Sequence, residues 1–354
     1  MIDSKEKLRK IVFKGLAASR LPQMLRPLLG GEGVVLMAHR VTAAPGTIYG
    51  FNSNLVVHPA FLDELVAEMK TQGFDFVSLD DAVVRIGKGG KGGRFAAITL
   101  DDGFRDNLTE ALPVFEKHGA PFTVYIAPGL TDGDVEPWWE IVEASVERSG
   151  SDALEMAAPD GKLSFDCSTD AAKADAFEEI CRILSEELEE EDQVAAVRSL
   201  ADNAGVDCEA FRQSYLMNWD EIRRLAVHPL CTIGAHTVNH YNLRRLPKEK
   251  ALWEMSDSAA ILEERLGERP RHFAYPYGFE KAVGEREARL AGLAGFKSAG
   301  TTRHGVIQKE HAGHLHSLPR ISVNGRYQNI DYLKAMLSGV TTPMANRGRT
   351  VVTV

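Results

Sequence analysis

The fold of this chain is decided by the stretch Ala97-Ile98-Thr99-Leu100-Asp101-Asp102-Gly103-Phe104. A short apolar run ends abruptly in two carboxylates and a glycine, which predicts a buried strand with Asp101 and Asp102 at its C-terminal end. Neighbouring side chains on a strand point to opposite faces, so both acids reach one pocket only if the backbone turns there, as Gly103 allows. Two carboxylates that close repel unless a cation lies between them, so one acid would bind a metal ion while the other acts as a base. The alternative is an ordinary strand-end turn, because Asp-Gly is a common turn pair.

Candidate metal ligands lie far downstream, in the stretch Thr232-Ile233-Gly234-Ala235-His236-Thr237-Val238-Asn239-His240. Another strand-like run ends in two histidines, and their spacing on one helical turn or a tight loop lets both imidazoles face one ion. Two histidines and one carboxylate, with open positions for water, form a common catalytic metal set. Histidine pairs with this spacing are common, so the prediction depends on combining His236 and His240 with the Asp-Asp strand end.

Strand and helix patterns alternate along most of the chain, which predicts parallel βα units that close into a barrel. The first strand pattern covers residues 33–41 and contains His39 near its end. In such barrels the working residues gather at the C-terminal ends of the strands. His39, the Asp101-Asp102 pair and the His236 loop all occupy such ends, so we expect them to face one pocket.

The alternation is interrupted between Glu136 and Asn218, where the pattern is mainly helical. We predict that residues 136–218 are an insertion over the strand-end face of a barrel formed by residues 31–340. The insertion would act as a scaffold or as a substrate-binding cap. Its Trp138 and Trp139 would stack on sugar rings, or one of them would belong to the core. The remaining units are a basic amphipathic helix over residues 1–30 and a C-terminal tail over residues 341–354, which we expect to be loose.

The composition excludes several classes of protein. The chain has 354 residues, of which 44% are hydrophobic, and its net charge of −9 argues against a nucleic-acid partner. Its cysteines are scattered without metal-binding or disulfide spacing: Cys167, Cys181, Cys208 and Cys231. We find no signal-peptide pattern and no transmembrane span, so we expect a cytoplasmic protein, with membrane-peripheral attachment as an open alternative.

The segment of residues 5–29 is basic and amphipathic. It contains a single acid, Glu6, against Lys5, Lys7, Arg9, Lys10, Lys14, Arg20 and Arg26. Such a segment can lie on an anionic membrane surface. The alternative is a helix that buries its apolar face against the barrel or in an oligomer contact.

Three motifs together resemble those of the polysaccharide deacetylases with a NodB homology domain. The stretch 99–103 is similar to that family's Thr-Phe-Asp-Asp-Gly motif, and 236–240 is similar to its His-Ser/Thr-x-x-His motif. The third, Pro276-Tyr277-Gly278, is similar to its Pro-Tyr-Gly motif. The motifs occur in the expected order, and the resemblance extends over roughly residues 34–323.

The resemblance implies an α/β fold, a distorted (β/α)7 barrel of the NodB type, rather than a regular eight-stranded barrel. It implies hydrolysis of N-acetyl groups from an N-acetylated sugar, oligosaccharide or polysaccharide, with a lipid-linked precursor as one candidate. The implied cofactor is a divalent metal, zinc first and cobalt, manganese or nickel as alternatives, on Asp102, His236 and His240. Asp101 would be the base, and the backbone N–H of Tyr277 would stabilise the oxyanion, with Pro276 and Tyr277 binding substrate.

The general acid departs from the family's usual pattern, a Leu-x-His motif near the C-terminus. Leu315-His316 is a poor match, whereas Met37-Ala38-His39 near the start fits better. Some members of the family are circularly permuted, with that strand moved to the N-terminus. We therefore assign the acid to His39, with His316 as the second choice and a purely structural core histidine as the alternative for His39.

A second departure concerns the arginine that orients the catalytic aspartate in many members. Ala274 precedes Tyr275-Pro276-Tyr277 where that arginine would stand. We predict that Arg320, on a late strand, takes this place. The alternative for Arg320 is a structural ion pair.

Two other functions remain open. One is a deformylase or another hydrolase of non-peptide C–N bonds on the same fold. The other is a glycan-binding module without catalysis, although the intact Asp-Asp and His-His sets argue against it.

Overall fold

A computed structural model describes residues 4–44, 46–88, 93–150 and 153–354. Residues 1–3 of the predicted N-terminal unit and the side chain of Lys5 lie outside this description. The strands are β1 (Gly33–Ala38), β2 (Arg40–Val41), β3 (Val56–Val57), β4 (Phe74–Phe76), β5 (Arg94–Leu100), β6 (Phe122–Ile126), β7 (Leu154–Ala158), β8 (Gly161–Phe165), β9 (Cys231–Ala235), β10 (His272–Ala274), β11 (Ser298–His304) and β12 (Leu318–Ser322). The helices are α1 (Ser4–Ala18), α2 (Leu21–Leu29), α3 (Pro59–Thr71), α4 (Leu79–Arg85), α5 (Leu112–His118), α6 (Pro128–Asp132), α7 (Trp138–Arg148), α8 (Asp170–Arg182), α9 (Glu190–Ala204), α10 (Cys208–Tyr215), α11 (Trp219–Ala226), α12 (Lys248–Leu266), α13 (Glu285–Leu293), α14 (Ile330–Leu337) and α15 (Thr341–Ala345).

Seven parallel strands close into a barrel in chain order: β1, β5, β6, β9, β10, β11 and β12. The barrel closes on β1, where Leu36 lies opposite Ile98 of β5 on one side and Ile321 of β12 on the other. The short strand β4 pairs with the first half of β5 outside this ring. The predicted distorted (β/α)7 barrel is therefore confirmed.

Strands β1 and β5 are almost entirely apolar, because parallel strands are covered on both faces. All six residues of β1 are buried, as are the last six of β5. Helices such as α3 and α12 place their apolar sides, including Leu65 and Met255, in the same core. This rigid ring holds the C-terminal strand ends, and therefore the polar residues that follow them, at one edge.

The insertion at residues 136–218 contains more than the helices that we expected. Its helices α7 to α10 are joined by an antiparallel hairpin in which Leu154 of β7 lies opposite Phe165 of β8. Leu154 and Met156 are buried and alternate with more exposed residues, which is the strand period. The hairpin packs beside α9, whose Ser199 hydroxyl accepts a hydrogen bond from the backbone N–H of Ala157. Two short strands inside a helix-rich segment are a weak signal, and the packing against α9 stabilises them.

The C-terminal residues 341–354 differ from our expectation of a loose tail. They include α15 and the buried Val352, which is 4% exposed. The ring Nε2 of His311 lies 3.0 Å from the carbonyl oxygen of Val352, and Asn346 Nδ2 donates to the carbonyl of His304. The tail lacks a periodic pattern because it is held by these long-range contacts rather than by an apolar face of its own.

The N-terminal segment forms two helices, α1 and α2, rather than one. Phe13 of α1 packs between Tyr327 and Tyr332, with ring centroids 5.3 and 5.4 Å apart. Leu16 is buried in a small cluster with Ala335 of α14. One side of this segment therefore packs on the barrel domain. Within the described residues, no helix combines the length and apolar character needed to cross a bilayer.

Candidate active site

The C-terminal edge of the barrel carries the polar residues singled out in the sequence. Asp101 and Asp102 follow β5, while His236 and His240 follow β9. Their backbone conformations explain how adjacent acids share one pocket. Asp102 itself has φ 73° and Gly103 has φ 71°, so the chain turns sharply directly after Asp101. The turn therefore begins at Asp102, one residue before Gly103, where the sequence predicted it.

Strained backbone is concentrated at this edge. Five non-glycine residues of the described chain have positive φ, and four lie in the three motifs: Asp102, Thr237, His240 and Tyr277. Such conformations persist only where the surroundings enforce them, and they cluster at functional sites. Gly278, with φ 60°, adds to this, because a Cβ there would lie 2.6 Å from the backbone nitrogen of Thr302. The local backbone is shaped to aim these side chains.

Asp102, His236 and His240 converge. The Oδ1 atom of Asp102 lies 3.3 Å from Nε2 of each histidine. The Nδ1 atom of His236 lies 2.7 Å from the carbonyl oxygen of Ala274. A carbonyl only accepts, so Nδ1 carries the proton and the lone pair of Nε2 points to Asp102. The three donor atoms, all within 4.8 Å of one another, can therefore hold one cation.

Burial and the mutual contacts of Asp102 and His240 together set their pKa values. Burial raises the pKa of Asp102, but the contacts with the two histidines outweigh this, so the pKa lies well below its ordinary value. Burial also lowers the pKa of His240, although Asp102 opposes this. A carboxylate and a neutral imidazole are the forms that bind metals.

Asp101 is held by Arg320 of β12. Nη1 and Nη2 of Arg320 donate to Oδ1 and Oδ2 of Asp101 at 2.7 and 2.8 Å, the bidentate geometry of the strongest carboxylate pairs. Both residues are buried, at 1% and 2% exposure. Burial raises the pKa of Asp101, and the Arg320 charge more than offsets this, so the pKa lies below its ordinary value. The guanidinium also donates to Thr99 and to the carbonyl of Thr301, which fixes its plane.

The two candidate acids lie in different places. His39 lines the same cleft as Asp101 and Asp102, and its charge helps to lower the pKa of both. His316 lies elsewhere, at a surface pocket beside Gly292, with its Nε2 2.8 Å from the carbonyl of Phe296. The structure therefore places the second choice, His316, outside the cleft, on a short 3-10 turn before β12.

The insertion contributes the wall of the site. Trp139 packs against the His240 ring with centroids 4.9 Å apart, and Trp138 Nε1 donates to the hydroxyl of Tyr277 at 3.1 Å. Each tryptophan is 8% exposed, and both line the cleft. Both tryptophans therefore belong to the core and also border the site, and their stacking on sugar rings stays a prediction.

A supporting residue was missed in the sequence. Glu254 of α12 is fully buried and accepts hydrogen bonds from the backbone N–H groups of Val238 and Asn239, each at 2.9 Å. It also accepts from Asn239 Nδ2 at 2.7 Å. These bonds brace the loop between His236 and His240. The available signal was an acid on the apolar side of α12, one turn from Ala251 and beside Met255.

Arg40, the residue after His39, belongs to a cluster of buried charged side chains. Arg40 donates to Asp106 at 3.0 Å and lies 3.7 Å from Oε2 of Glu140, which belongs to α7 of the insertion. Glu140 is 3% exposed, and its Oε1 is buried without a hydrogen-bond partner among the described residues. Burial raises the pKa of Glu140 to about 7, with Arg40 opposing the shift. Asp106 and Glu140 share Arg40, so the charged form of Glu140 is destabilised.

We expect Glu140→Gln to stabilise the metal-free protein above pH 7 by on the order of 2 kcal/mol. The folded carboxyl, with its pKa raised to about 7, binds its proton more tightly than the unfolded one. Its contribution to stability therefore falls as pH rises from the ordinary carboxyl range to about 7. Urea unfolding from pH 4 to 8 measures this, with the exposed Glu264→Gln as the matched control. A difference between Glu140→Gln and wild type that is the same at every pH would contradict the assignment.

A cleft of about 870 Å³ joins these residues. Beyond the metal-ligand candidates, its lining is rich in aromatic side chains: Tyr49, Phe51, Trp138, Trp139, Phe177 and Tyr277. Phe51 and Phe177 stack with centroids 4.5 Å apart, joining the loop before β3 to α8 of the insertion. The cleft therefore extends from the polar strand ends to an aromatic surface supplied partly by the insertion.

Comparison with known proteins gives one family. Residues 163–296 match the family model described as polysaccharide deacetylase. The match begins inside the insertion and includes the His236 and Pro276 motifs, but it does not include the Asp101-Asp102 pair. No curated protein sequence matches the chain.

Solved structures share the barrel. The chain is 18% identical to the Streptococcus pyogenes deacetylase PplD in complex with acetate, covering 86% of this chain and 97% of that one, with a TM-score of 0.55. IcaB from Ammonifex degensii is also 18% identical, with coverage of 86% and 97% and a TM-score of 0.53. A de-N-acetylase from Aggregatibacter actinomycetemcomitans is 14% identical, with coverage of 86% and 99% and a TM-score of 0.52. At these identities the likeness concerns the fold.

The circular permutation stays a prediction, since no comparison tests it. The strand that carries Asp101 is the second of the seven, after β1. Part of the chain, residues 163–296, is therefore similar to the polysaccharide deacetylase family, and the barrel has the same fold as the solved deacetylases.

Proposed function

We propose that this protein is a metal-dependent hydrolase that removes N-acetyl groups from an N-acetylated sugar. One observation carries the proposal: Asp102, His236 and His240 converge beside an Asp101 that Arg320 holds by two hydrogen bonds. A structural turn needs neither a converging histidine pair nor a buried arginine clamp.

The donor set suits a divalent cation. One carboxylate oxygen and two imidazole nitrogens match the ligands of catalytic zinc sites, and the His236 orientation is held by the Ala274 carbonyl. We propose zinc, with cobalt, manganese or nickel as alternatives. Bound there, the ion would lower the pKa of a water molecule and polarise the acyl oxygen.

Asp101 is the proposed base. It is a buried carboxylate at the end of β5, and the two Arg320 hydrogen bonds fix its plane toward the cleft. It would accept the proton of the attacking water. Arg320 acts as a positioning residue, because its guanidinium contacts the carboxylate and keeps it ionised until that transfer.

The remaining steps need an oxyanion donor and an acid. The backbone N–H of Tyr277 would donate to the developing oxyanion, and the positive φ of Tyr277 orients that peptide. The amide nitrogen leaves only after it gains a proton, and we assign that proton to His39, which lines the cleft. Pro276 and Tyr277 would contact the sugar.

We also propose a division of the chain that fits this assignment. We propose residues 31–340 as the catalytic barrel, residues 136–218 as its insertion and cap, and residues 1–30 and 341–354 as the flanking segments. The aromatic lining from α7 and α8 suits the apolar faces of sugar rings, while the strand ends supply the polar chemistry.

The released acid tests the proposed function. We expect the purified protein with added zinc to release acetate from a panel of N-acetylated oligosaccharides, and to stop when a chelator removes the metal. His39→Gln should lower that rate by about a hundredfold, because an acid for the leaving nitrogen typically contributes a factor of this order or more. Acetate assay by a coupled enzyme measures both, with His316→Gln as the matched control.

Two outcomes would replace the proposal. Formate in place of acetate would indicate the deformylase alternative. Binding of glycan with no acid released and no metal retained would indicate the glycan-binding module.

A further inference from the structure

An apolar stripe is exposed on the two N-terminal helices. Five of the twelve exposed large apolar side chains among the described residues lie between positions 8 and 28. They are Leu8, Ile11, Leu21, Met24 and Leu28, with exposed fractions of 62, 65, 43, 72 and 78%. Exposed apolar residues scattered singly are normal, whereas a cluster of this kind marks an interaction surface.

The stripe is the outer side of helices whose inner side is already packed. Successive residues of an α-helix are about 100° apart around its axis, so Leu8 and Ile11 share one side of α1 and Phe13 lies opposite. Phe13 of α1 and Leu25 of α2 pack against the same cluster, which contains Leu16. The outer sides of both helices therefore face away from the barrel.

Positive charge surrounds the stripe. Residues 4–29 include seven basic residues and one acid, in a chain whose net charge is −9. The acid, Glu6, pairs with Lys10 at 3.3 Å and Arg326 at 3.4 Å. Lys7 and Lys14 are exposed, and the helical spacing places them beside the apolar stripe.

The same helix borders the catalytic cleft. Glu6 and Lys10 of α1 line it, together with Arg326. On the helical wheel Lys7 and Lys14 lie between Lys10 and the apolar stripe. The mouth of the cleft is therefore more than about a third of a turn of α1 away from the exposed apolar side, with Lys7 and Lys14 between them.

We propose that this stripe lies on an anionic bilayer, and that the enzyme acts on an N-acetylated glycan anchored in that bilayer. Apolar side chains that enter the interface and basic ones that meet the headgroups are the two contributions that bind interfacial helices. A second copy of the chain is a poorer occupant, because it would bring two basic segments together. The substrate part of the inference rests on the proposed function, and the membrane part does not.

Vesicle flotation of the full chain tests the membrane part. We expect at least about tenfold more bound protein on phosphatidylcholine vesicles containing about 30% phosphatidylglycerol than on phosphatidylcholine alone. Met24→Glu/Leu28→Glu should lower binding by about tenfold or more, since each charge must enter the interface. Lys7→Ala/Lys14→Ala should lower vesicle binding by about tenfold, and about 0.5 M salt should weaken the binding of the wild type.

The matched control is Val227→Glu/Leu293→Glu, two equally exposed apolar residues outside the stripe, with exposed fractions of 85 and 70%. It should bind like wild type, and all variants should keep wild-type rates on a soluble oligosaccharide. Equal binding of wild type and Met24→Glu/Leu28→Glu would overturn the proposal. So would a concentration-dependent dimer that the same variant abolishes, without vesicle binding by the wild type.

The substrate part has a separate outcome. If the enzyme is docked, Met24→Glu/Leu28→Glu should slow acetate release from a vesicle-anchored N-acetylated glycolipid by about tenfold while leaving the soluble substrate unaffected. Equal loss on both substrates would overturn it. Vesicle binding without release of acetate from any substrate would instead reject the proposed function and leave the membrane surface standing.

Discussion

Asp101→Asn is expected to lower kcat by about a thousandfold while the protein keeps its metal. A positioned base typically contributes a factor of about 10² to 10⁴, and an amide cannot take the proton of the attacking water. The asparagine oxygen can still accept from Arg320, which now donates at 2.7 and 2.8 Å to the two oxygens of Asp101. The amide NH2 faces the second guanidinium donor, so one hydrogen bond and the charge pairing are lost, and we expect the variant to be less stable as well as unable to accept the proton.

Steady-state acetate release and metal content of the purified variant measure this effect. The contrast is His236→Ala, which should lose the metal, because it removes one of three donors that lie within 4.8 Å of one another. A cooperative thermal unfolding transition above the assay temperature shows that Asp101→Asn is folded, since the loss of the ion pair is itself expected to lower the melting temperature. Equal turnover in wild type and Asp101→Asn would rule out Asp101 as the base.

Arg320→Met is expected to destabilise the metal-free protein by about 3–5 kcal/mol, the usual range for breaking a buried ion pair. Arg320 and Asp101 are 1% and 2% exposed, so the carboxylate would be left charged and unpaired in the barrel. Methionine keeps much of the arginine's apolar volume, so most of the effect should be electrostatic. Urea unfolding with a chelator present measures the free energy of unfolding.

The double variant Asp101→Asn/Arg320→Met separates charge from packing. If the unpaired carboxylate is responsible, Arg320→Met should be destabilising by at least about 2 kcal/mol less in the Asp101→Asn background. The same loss in both backgrounds would show that packing of Arg320, and not its pairing with Asp101, stabilises the barrel.

The barrel and the metal-ligand candidates were accessible from the sequence because their signals are local. Strand β5 is a single apolar run that ends in Asp101-Asp102, and β9 ends in the same way before His236. Parallel strands that alternate with helices bring their C-terminal ends to one edge, so these short patterns were enough to predict a shared pocket.

The finer parts of the site were less accessible. Glu254 looks like one more charged residue on a helix until its bonds to the His236 loop are seen. The hairpin of β7 and β8 is too short to stand out in a helix-rich insertion, and Val352 lies in a tail without periodicity. In each case the stabilising partner is distant along the chain.

By itself, the sequence determined the alternating elements, the paired acids, the paired histidines and the basic, amphipathic start of the chain. Only the tertiary structure decided which of these residues meet. Arg320 reaches Asp101 across 219 positions because β1 closes the barrel between β12 and β5. Periodicity and motifs describe residues that are close along the chain. Buried ion pairs and packed aromatic rings form between distant segments, which only the closed barrel brings together.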